Sequence, residues 1–348
     1  MLVLSATEAI TPALERTRNL LFRPFQWGTF LKLCAVAVFT EGFSGNFNFS
    51  NRHPATHIDR SPIPFHPNPG LVLAFVLAGI AVFVLAIVLF YVVVRLRFAL
   101  FDCLVFQTKR LAPGWHKYRF QALRFFLLSI AIGFVFLVVL AAILLPFVFG
   151  FVRIYRDTQL TGHFPLAAAL GLLLPLIPIF ILFVLCAFAV DLILRDFMLP
   201  HMALENASAA EAWAAVRMQI AQEVGPFFLY AVLRILLPIA AMIALFIALA
   251  IPCLLIFGAL GIALAALHAM LNGATMPVVA VGSVVEVILG VLIAGIALLL
   301  AVSFGGPLCI TLRNYALLFY GGRYPALGNI LYPPPPPSTA PIPGAGIA

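Results

Sequence analysis

The stretch from Leu71 to Val94 contains no charged residue, and Arg95 and Arg97 follow it directly. A helix needs about 20 mostly apolar residues to cross the hydrocarbon core of a bilayer, and this stretch is longer. Inside lipid every backbone polar group must find a partner within the protein, which an α-helix provides. This feature therefore predicts a transmembrane helix and excludes an ordinary soluble fold.

The composition extends this conclusion to the whole chain. Of 348 residues, 64% are hydrophobic and only 9% are charged, whereas soluble domains carry about 25% charged residues. A net charge of +8 would suggest a nucleic-acid partner in a soluble protein. Here the basic residues flank apolar stretches, as they do on the cytoplasmic side of membrane proteins. We therefore expect the lipid bilayer as partner and no nucleic acid.

Apolar stretches recur along the chain and predict an all-α, polytopic transmembrane helical bundle. We expect a single integral membrane domain over residues 1–330, followed by a disordered, proline-rich tail over 331–348. Six approximate spans are predicted: 25–41, 71–94, 121–151, 164–191, 226–257 and 283–304. Five cysteines lie singly in or beside these spans, which indicates neither a disulfide framework nor a metal site.

Two polar segments repeat the same pattern before a span. Ser5-Ala6-Thr7-Glu8 is echoed by Ser208-Ala209-Ala210-Glu211, and serine three residues before glutamate is the spacing of a helix capping box. Each segment predicts an amphipathic helix lying at the membrane interface. The repeat favours three hairpins, each preceded by an interface helix.

A rival interpretation gives seven spans. It divides residues 226–271 into two spans and places the C-terminus outside. In the six-span interpretation, residues 258–282 form an amphipathic or re-entrant segment in the outer leaflet. Most basic residues then fall in cytoplasmic segments, and the outer loops hold only Arg52, Arg60, Arg153 and Arg156. This asymmetry predicts that both termini are cytoplasmic.

Residues around the second polar segment resemble a known type of membrane protein. The matching residues are Phe197-Met198-Leu199-Pro200, Glu205, Ser208, Glu211-Ala212-Trp213 and Arg217. They are similar to six-span bacterial membrane proteins of unknown function, which resemble the membrane domain fused to some glycerophosphodiester phosphodiesterases. The resemblance implies a multi-pass protein of the bacterial inner membrane without an assigned activity. It carries over no catalytic residue, since no phosphodiesterase domain is present.

Charged residues inside the predicted spans are the first candidates for function, because charge in lipid is costly. The candidate intramembrane polar residues are Lys32, Asp191, Arg234 and Glu286. Asp191 and Arg195 are spaced for an ion pair on one helix. Arg234 and Glu286 are predicted near opposite membrane faces, so we do not expect them to pair directly. These charges either stabilise the bundle or line a transport path.

Basic residues after the second predicted span are interspersed with Trp115 and Tyr118. This combination is typical of a cytoplasmic interface and of contact with anionic lipid headgroups. The candidate lipid contacts are Arg95, Arg97, Lys109, Arg110, Lys117, Arg119 and Arg124.

No phosphate loop, zinc-protease or serine-hydrolase motif occurs in the sequence. His53, His57, Asp59 and His66 share one polar loop, which we expect to be solvated rather than a metal site. We therefore expect no enzymatic activity, no cofactor and no metal. The favoured function is structural, in scaffolding or envelope homeostasis, with another membrane protein as a further partner. The alternative is a transporter or flippase-like carrier of an apolar or amphiphilic substrate, with Arg234 and Glu286 lining its path.

Overall fold

The computed structural model describes residues 4–42, 69–162, 165–271 and 276–332, and the described part is helical. The predicted outer loop after residue 42 and the tail from residue 333 lie outside the described residues. The helices are α1 (Ile10–Phe22), α2 (Trp27–Gly42), α3 (Pro69–Val105), α4 (Ala112–Lys117), α5 (Arg119–Thr161), α6 (Leu166–Leu192), a π-helical segment (Ile193–Met198), α7 (Leu199–Leu204), α8 (Ala209–Gln222), α9 (Val224–Leu271), α10 (Met276–Gly321) and α11 (Pro325–Leu331).

Five of the described helical stretches are long and apolar enough to cross a membrane. Their most apolar windows are 0% buried inside the protein, so these surfaces must be covered by lipid. The five stretches are Val72–Val105, Arg119–Leu160, Leu166–Leu204, Val224–Leu271 and Val281–Gly321. The chain is therefore a helical, multi-pass membrane protein, as its composition predicts.

The first predicted span, 25–41, corresponds to α2, which has only 16 residues and is shorter than a typical span. Both of its ends contact neighbouring helices or their connections. Lys109 Nζ donates a hydrogen bond to the carbonyl of Pro24 at 2.7 Å, and Glu41 lies in the ion network described below. The structure therefore does not confirm six spans, nor the architecture of three repeated hairpins.

The interval from 226 to 271 is a single unbroken helix within α9, 48 residues long. The division of this interval into two spans is therefore wrong for the described residues. A separate outer segment over 258–282 is also wrong, because 258–271 continues α9 and 276–282 begins α10. The cause is composition: alanine, leucine and isoleucine continue the helix past Gly258 and Gly261 to Leu271.

The five long helices meet at one end in a tightly packed layer, which we call the base. There α3, α6 and α10 end and α5 and α9 begin, with α1, α2, α7, α8 and α11 packed among them. Phe197 lies at its centre, with ring centroids 5.0 Å from Tyr320, 5.1 Å from Phe227 and 5.3 Å from Tyr230. Outside the base, the exposed parts of the five long helices form what we call the arms.

The two ends of the described chain lie together in the base. Helix α1 packs against the end of α10, where Asn314 Nδ2 donates a hydrogen bond to Thr17 Oγ1 at 2.9 Å. Arg323 Nη1 donates to the carbonyl of Leu4 at 3.1 Å. The beginning and the end of the described chain therefore lie at the same end of the molecule.

The two polar segments that repeat in the sequence form the same pair of hydrogen bonds between serine and glutamate. Ser208 is the N-cap of α8, Glu211 N donates to its Oγ at 3.3 Å, and the Glu211 carboxylate accepts from Ser208 N at 2.7 Å. The same reciprocal pair joins Ser5 and Glu8, at 2.9 and 3.3 Å. The predicted capping box of α8 is confirmed. Ser5 is not the cap of α1, because residues 6–9 form a turn and α1 begins at Ile10 with Ala9 as its N-cap.

The capping box of α8 makes this helix sensitive to acid. The hydrogen bond from the Ser208 backbone lowers the pKa of the Glu211 carboxyl below its ordinary value of 4.5. The carboxylate therefore stabilises the fold above that value, and the contribution is lost as pH falls through the lowered folded-state pKa. We expect Glu211→Ala to lower the Tm at pH 7, with the difference from wild type shrinking below pH 4.5 in thermal unfolding.

Glu15 is the matched control, since it is exposed on α1. Glu15→Ala should keep the wild-type dependence of Tm on pH. If the difference in Tm between Glu211→Ala and wild type stayed constant from pH 7 to pH 3.5, the ionised Glu211 carboxylate would not be the cause of the lower Tm.

Candidate functional site

The π-helical segment places two consecutive charged residues inside the base. Arg195 is 8% exposed and Asp196 is 1% exposed. In a regular helix neighbouring side chains point about 100° apart, whereas π-helical turns redirect side chains and often occur at functional sites. The segment is thus the centre of the candidate site.

Asp196 joins three helices through its two carboxylate oxygens. Arg313 Nη1 of α10 lies 2.7 Å from Oδ1. Arg234 Nε and the Tyr230 hydroxyl, both of α9, lie 3.3 and 2.8 Å from Oδ2, and the hydroxyl donates. Arg195 Nε is 3.8 Å from Oδ1. The carboxylate is therefore surrounded by guanidinium groups.

Glu41 brings α2 into the same network. Its Oε2 lies 3.3 Å from Arg234 Nη2 and 3.4 Å from Arg195 Nη2. Arg195 Nη1 also lies 3.7 Å from Asp191 Oδ2, so the ion pair predicted from their spacing is present. We call Glu41, Asp191, Arg195, Asp196, Tyr230, Arg234 and Arg313 the ion network.

Helix α3 contributes Arg97 beside this network. Its Nε and Nη2 both donate to the carbonyl of Thr40, each at 3.2 Å. That carbonyl lies near the C-terminal end of the described α2, where a cation is favourable. Arg97 thereby connects α3 to the end of α2.

The chemistry of the ion network suits a structural connection. Guanidinium groups do not release their protons in proteins, and carboxylates next to them are held by charge-assisted hydrogen bonds. Removing one member of such a buried set leaves uncompensated charge and is strongly destabilising. The network therefore links α2, the π-helical segment, α9 and α10.

A small groove opens beside the network between α3, α5 and α6. Its volume is about 200 Å³, and its polar lining comes from Arg97, Asp191 and Ser129. The Ser129 hydroxyl donates to the carbonyl of Phe125 at 2.8 Å. Ile132 and Val190 contribute apolar surface. The groove thus places one cation and one anion beside apolar walls.

The candidate intramembrane residues are not brought to one place. Arg234 and Asp191 belong to the ion network, whereas Lys32 is exposed on α2. Glu286 lies on the distal part of α10, and its Oε1 is 2.9 Å from His268 Nδ1 of α9. Arg234 and Glu286 do not pair, as the sequence predicts.

The candidate lipid contacts divide into two groups. Exposed side chains belong to Arg110, Lys117, Arg119 and Arg124. The other three make internal contacts: Arg95 lies 4.2 Å from the centroid of the Trp115 ring, Lys109 binds the carbonyl of Pro24, and Arg97 is 7% exposed and binds Thr40. Lipid contact by the exposed group stays a prediction.

Sequence reasoning missed Glu41, Asp196 and Arg313 as members of the site. Glu41 is the last residue of the first predicted span, and the two others lie in segments predicted to be cytoplasmic. Their positions in the sequence therefore did not indicate that they meet. The available signal was a charged pair, Arg195-Asp196, directly before Phe197-Met198-Leu199. Among the described residues no group of three histidine, cysteine or acidic side chains could hold a metal ion.

One comparison with known proteins bears on this architecture. A family model described as a family of unknown function, DUF7544, matches residues 4–330. The chain belongs to this family. The DUF7544 match includes the base, the ion network and all five long helices. It shows no link to the phosphodiesterase-fused membrane domain. No curated protein and no solved structure matches the chain.

Proposed function

We propose that this DUF7544 protein is a non-catalytic scaffold of the bacterial inner membrane. Its base holds the apolar arms at fixed positions in the bilayer, where lipid or another membrane protein packs between them. Both termini are cytoplasmic in this proposal. The contact between Leu4 and Arg323 and the bias of basic residues toward the segments around the base support that orientation.

The observation that carries this proposal is the ion network. Its members come from α2, from α6 and the adjoining π-helical segment, from α9 and from α10, and Arg97 adds α3. The network therefore determines how these helices sit relative to one another. Burying charged groups costs free energy of desolvation, which their mutual contacts must offset. Any arrangement of the helices that leaves one of these charges unpaired is unfavourable, so the network favours a single arrangement. A scaffold must keep its helices in one arrangement, and the ion network favours this.

The exposed cations of the base support a second part of the proposal. Arg110, Lys117, Arg119 and Arg124 lie on its surface, where they can bind anionic headgroups of the inner leaflet. The lipid surface would then hold the base at a fixed depth.

Distances between arms test the scaffold. Phe149 of α5 and Phe246 of α9 are 66% and 75% exposed, so spin labels there should not disturb packing. All five native cysteines are replaced by alanine, and one cysteine is introduced at each of the two positions to carry a spin label. In lipid vesicles, we expect pulsed electron–electron double resonance to show one narrow distribution of distances between the two labels. The reason is that a scaffold populates a single arrangement of its arms.

A matched pair within the base provides the control. Leu14 of α1 and Met218 of α8 are 60% and 61% exposed, and labels there should also give one distance. Two populated distances between the arms, with one distance in the base, would contradict the scaffold and indicate alternating arrangements.

That second outcome would favour a carrier of an amphiphilic substrate. The observation behind this candidate is the groove between α3, α5 and α6, where Arg97 and Asp191 lie beside apolar walls. A zwitterionic or anionic headgroup with an apolar body would match such a surface. The scaffold is the better-supported proposal, because Arg234 lies inside the ion network and Glu286 pairs with His268.

A further inference from the structure

A second and larger cavity lies on the other side of the contact between α5 and α6. Its volume is about 450 Å³, within the range of about 300–1,000 Å³ seen for small-molecule sites. Apolar side chains line it, among them Leu128 and Val135 of α5, Val190 of α6, Met198 of the π-helical segment and Trp213 of α8. We call it the α8 cavity.

The surroundings of the α8 cavity determine what kind of molecule fills it. Water needs polar partners to occupy a cavity, and this lining offers apolar surface. The cavity also continues into surface that faces lipid, since Val135 is 59% exposed and the adjacent Leu127 is 58% exposed. An acyl chain of a membrane lipid is therefore an apolar molecule that can reach the cavity directly from the bilayer.

Helix α8 forms one edge of the cavity and has the features of an interface helix. The helix is amphipathic in sequence and begins at the capped Ser208. Trp213 is 46% exposed, and tryptophan prefers the interface because its ring is apolar and its N–H is polar. The cavity thus has an apolar interior and an edge where a polar headgroup can lie.

A cation, Arg124, lies near the start of α8, close to Asn206 and Glu211. Arg124 precedes Leu128 by one helical turn and shares its face of α5. Its Nη1 lies 3.5 Å from Asn206 Oδ1, a long contact that leaves guanidinium donors for a ligand. On α8, the exposed Arg217 follows Trp213 by one turn.

One carboxylate is also close to Arg124. The guanidinium contributes to the lowered pKa of the Glu211 carboxyl. That carboxylate already accepts from Ser208 N at 2.7 Å, so it is engaged in the helix cap. The planar guanidinium keeps the geometry that binds two phosphate oxygens at once.

We propose that the α8 cavity binds one acyl chain of a phospholipid whose phosphate is held by Arg124. This goes beyond the scaffold, which requires no specific lipid. The bound lipid would fill the space between the π-helical segment and α8 and so attach the interface helix to the α5–α6 pair.

Native mass spectrometry of the full chain tests the phosphate contact. The delipidated protein is mixed with phosphatidylglycerol or with a diacylglycerol of the same acyl chains. We expect one phosphatidylglycerol bound per chain, at least tenfold tighter than diacylglycerol. Arg124→Gln should weaken it by about tenfold, the effect of losing a hydrogen bond to a charged group. Arg153→Gln, an exposed cation at the far end of the same helix, should bind like wild type.

Tryptophan fluorescence tests the location. The chain has three tryptophans, so the substitutions Trp27→Phe and Trp115→Phe leave Trp213 as the only one. Phosphatidylglycerol with brominated chains should quench it and saturate near one equivalent. Ala210→Phe fills the edge of the cavity, so it should abolish the saturable quenching of Trp213. Ala214→Phe, on the same helix but outside the cavity, should leave that quenching unchanged.

Two results would overturn the proposal. One is equal retention of diacylglycerol and phosphatidylglycerol, or equal binding of phosphatidylglycerol by Arg124→Gln and Arg153→Gln. The other is quenching of Trp213 that rises in proportion to bulk lipid in wild type and Ala210→Phe alike. Neither result bears on the distances between arms, so the scaffold is tested separately.

Discussion

Replacing Asp196 by asparagine should unfold or strongly destabilise the base. The substitution keeps the shape of the side chain but leaves Arg195, Arg234 and Arg313 without their shared carboxylate. Removing one partner from a buried ionic set costs about 3–5 kcal/mol. We expect a large fall in the Tm, or loss of the monodisperse peak after detergent extraction, as measured by thermal unfolding and size-exclusion chromatography.

Asp191→Asn is the matched control for this prediction. The Asp191 side chain is 42% exposed and makes a 3.7 Å contact with Arg195, so its loss should cost about 1 kcal/mol or less. A double variant, Asp196→Asn with Arg313→Gln, should recover part of the stability, because it also removes an uncompensated cation. If Asp196→Asn were as stable as Asp191→Asn, the ion network would not hold the helices.

Replacing Gly306 by alanine should separate α2 from α10. A Cβ at this position would overlap Cys34 of α2, and it would lie 2.6 Å from the Cys34 Cα. Because that atom is backbone, no side-chain rotation relieves the overlap, and the two helices must move apart. Overpacking of this kind costs about 1–3 kcal/mol. Thermal unfolding should show a lower Tm for Gly306→Ala than for wild type.

The neighbouring glycine gives the control. A Cβ at Gly305 would lie 3.5 Å from Val38 Cγ2, which is an ordinary van der Waals contact. Gly305→Ala should therefore be neutral or slightly stabilising, since alanine favours the helix by about 1 kcal/mol over glycine. Equal losses for both variants would show that helix flexibility, and not the close approach of α2, is the reason for glycine here.

Features that depend on neighbouring residues were predicted well. The spans 71–94, 121–151, 226–257 and 283–304 lie within long helices of the structure, and the span 164–191 does so from Leu166 onward. The reason is that an apolar segment in lipid must satisfy its own backbone. The capping box of α8 and the Asp191–Arg195 pair were predicted because each involves residues three or four positions apart.

Features that depend on how helices meet were not predicted. The short α2 has an apolar sequence like that of a span, yet its ends contact Lys109 and the ion network. The split of residues 226–271 was wrong because Gly258 and Gly261 do not end a helix in this setting. Arg313, which is 3% exposed and binds Asp196, was not predicted to be a member of the site.

The amino-acid sequence alone determined the membrane class, the positions of the long helices and the local caps, because these follow from hydrophobicity and from hydrogen bonds within one turn. The tertiary structure decided that Glu41, Asp196, Arg234 and Arg313 form one site and that Cys34 abuts Gly306. These contacts join positions up to hundreds of residues apart. Which charges meet depends on the packing of the helices in the base, and no spacing along the chain encodes that.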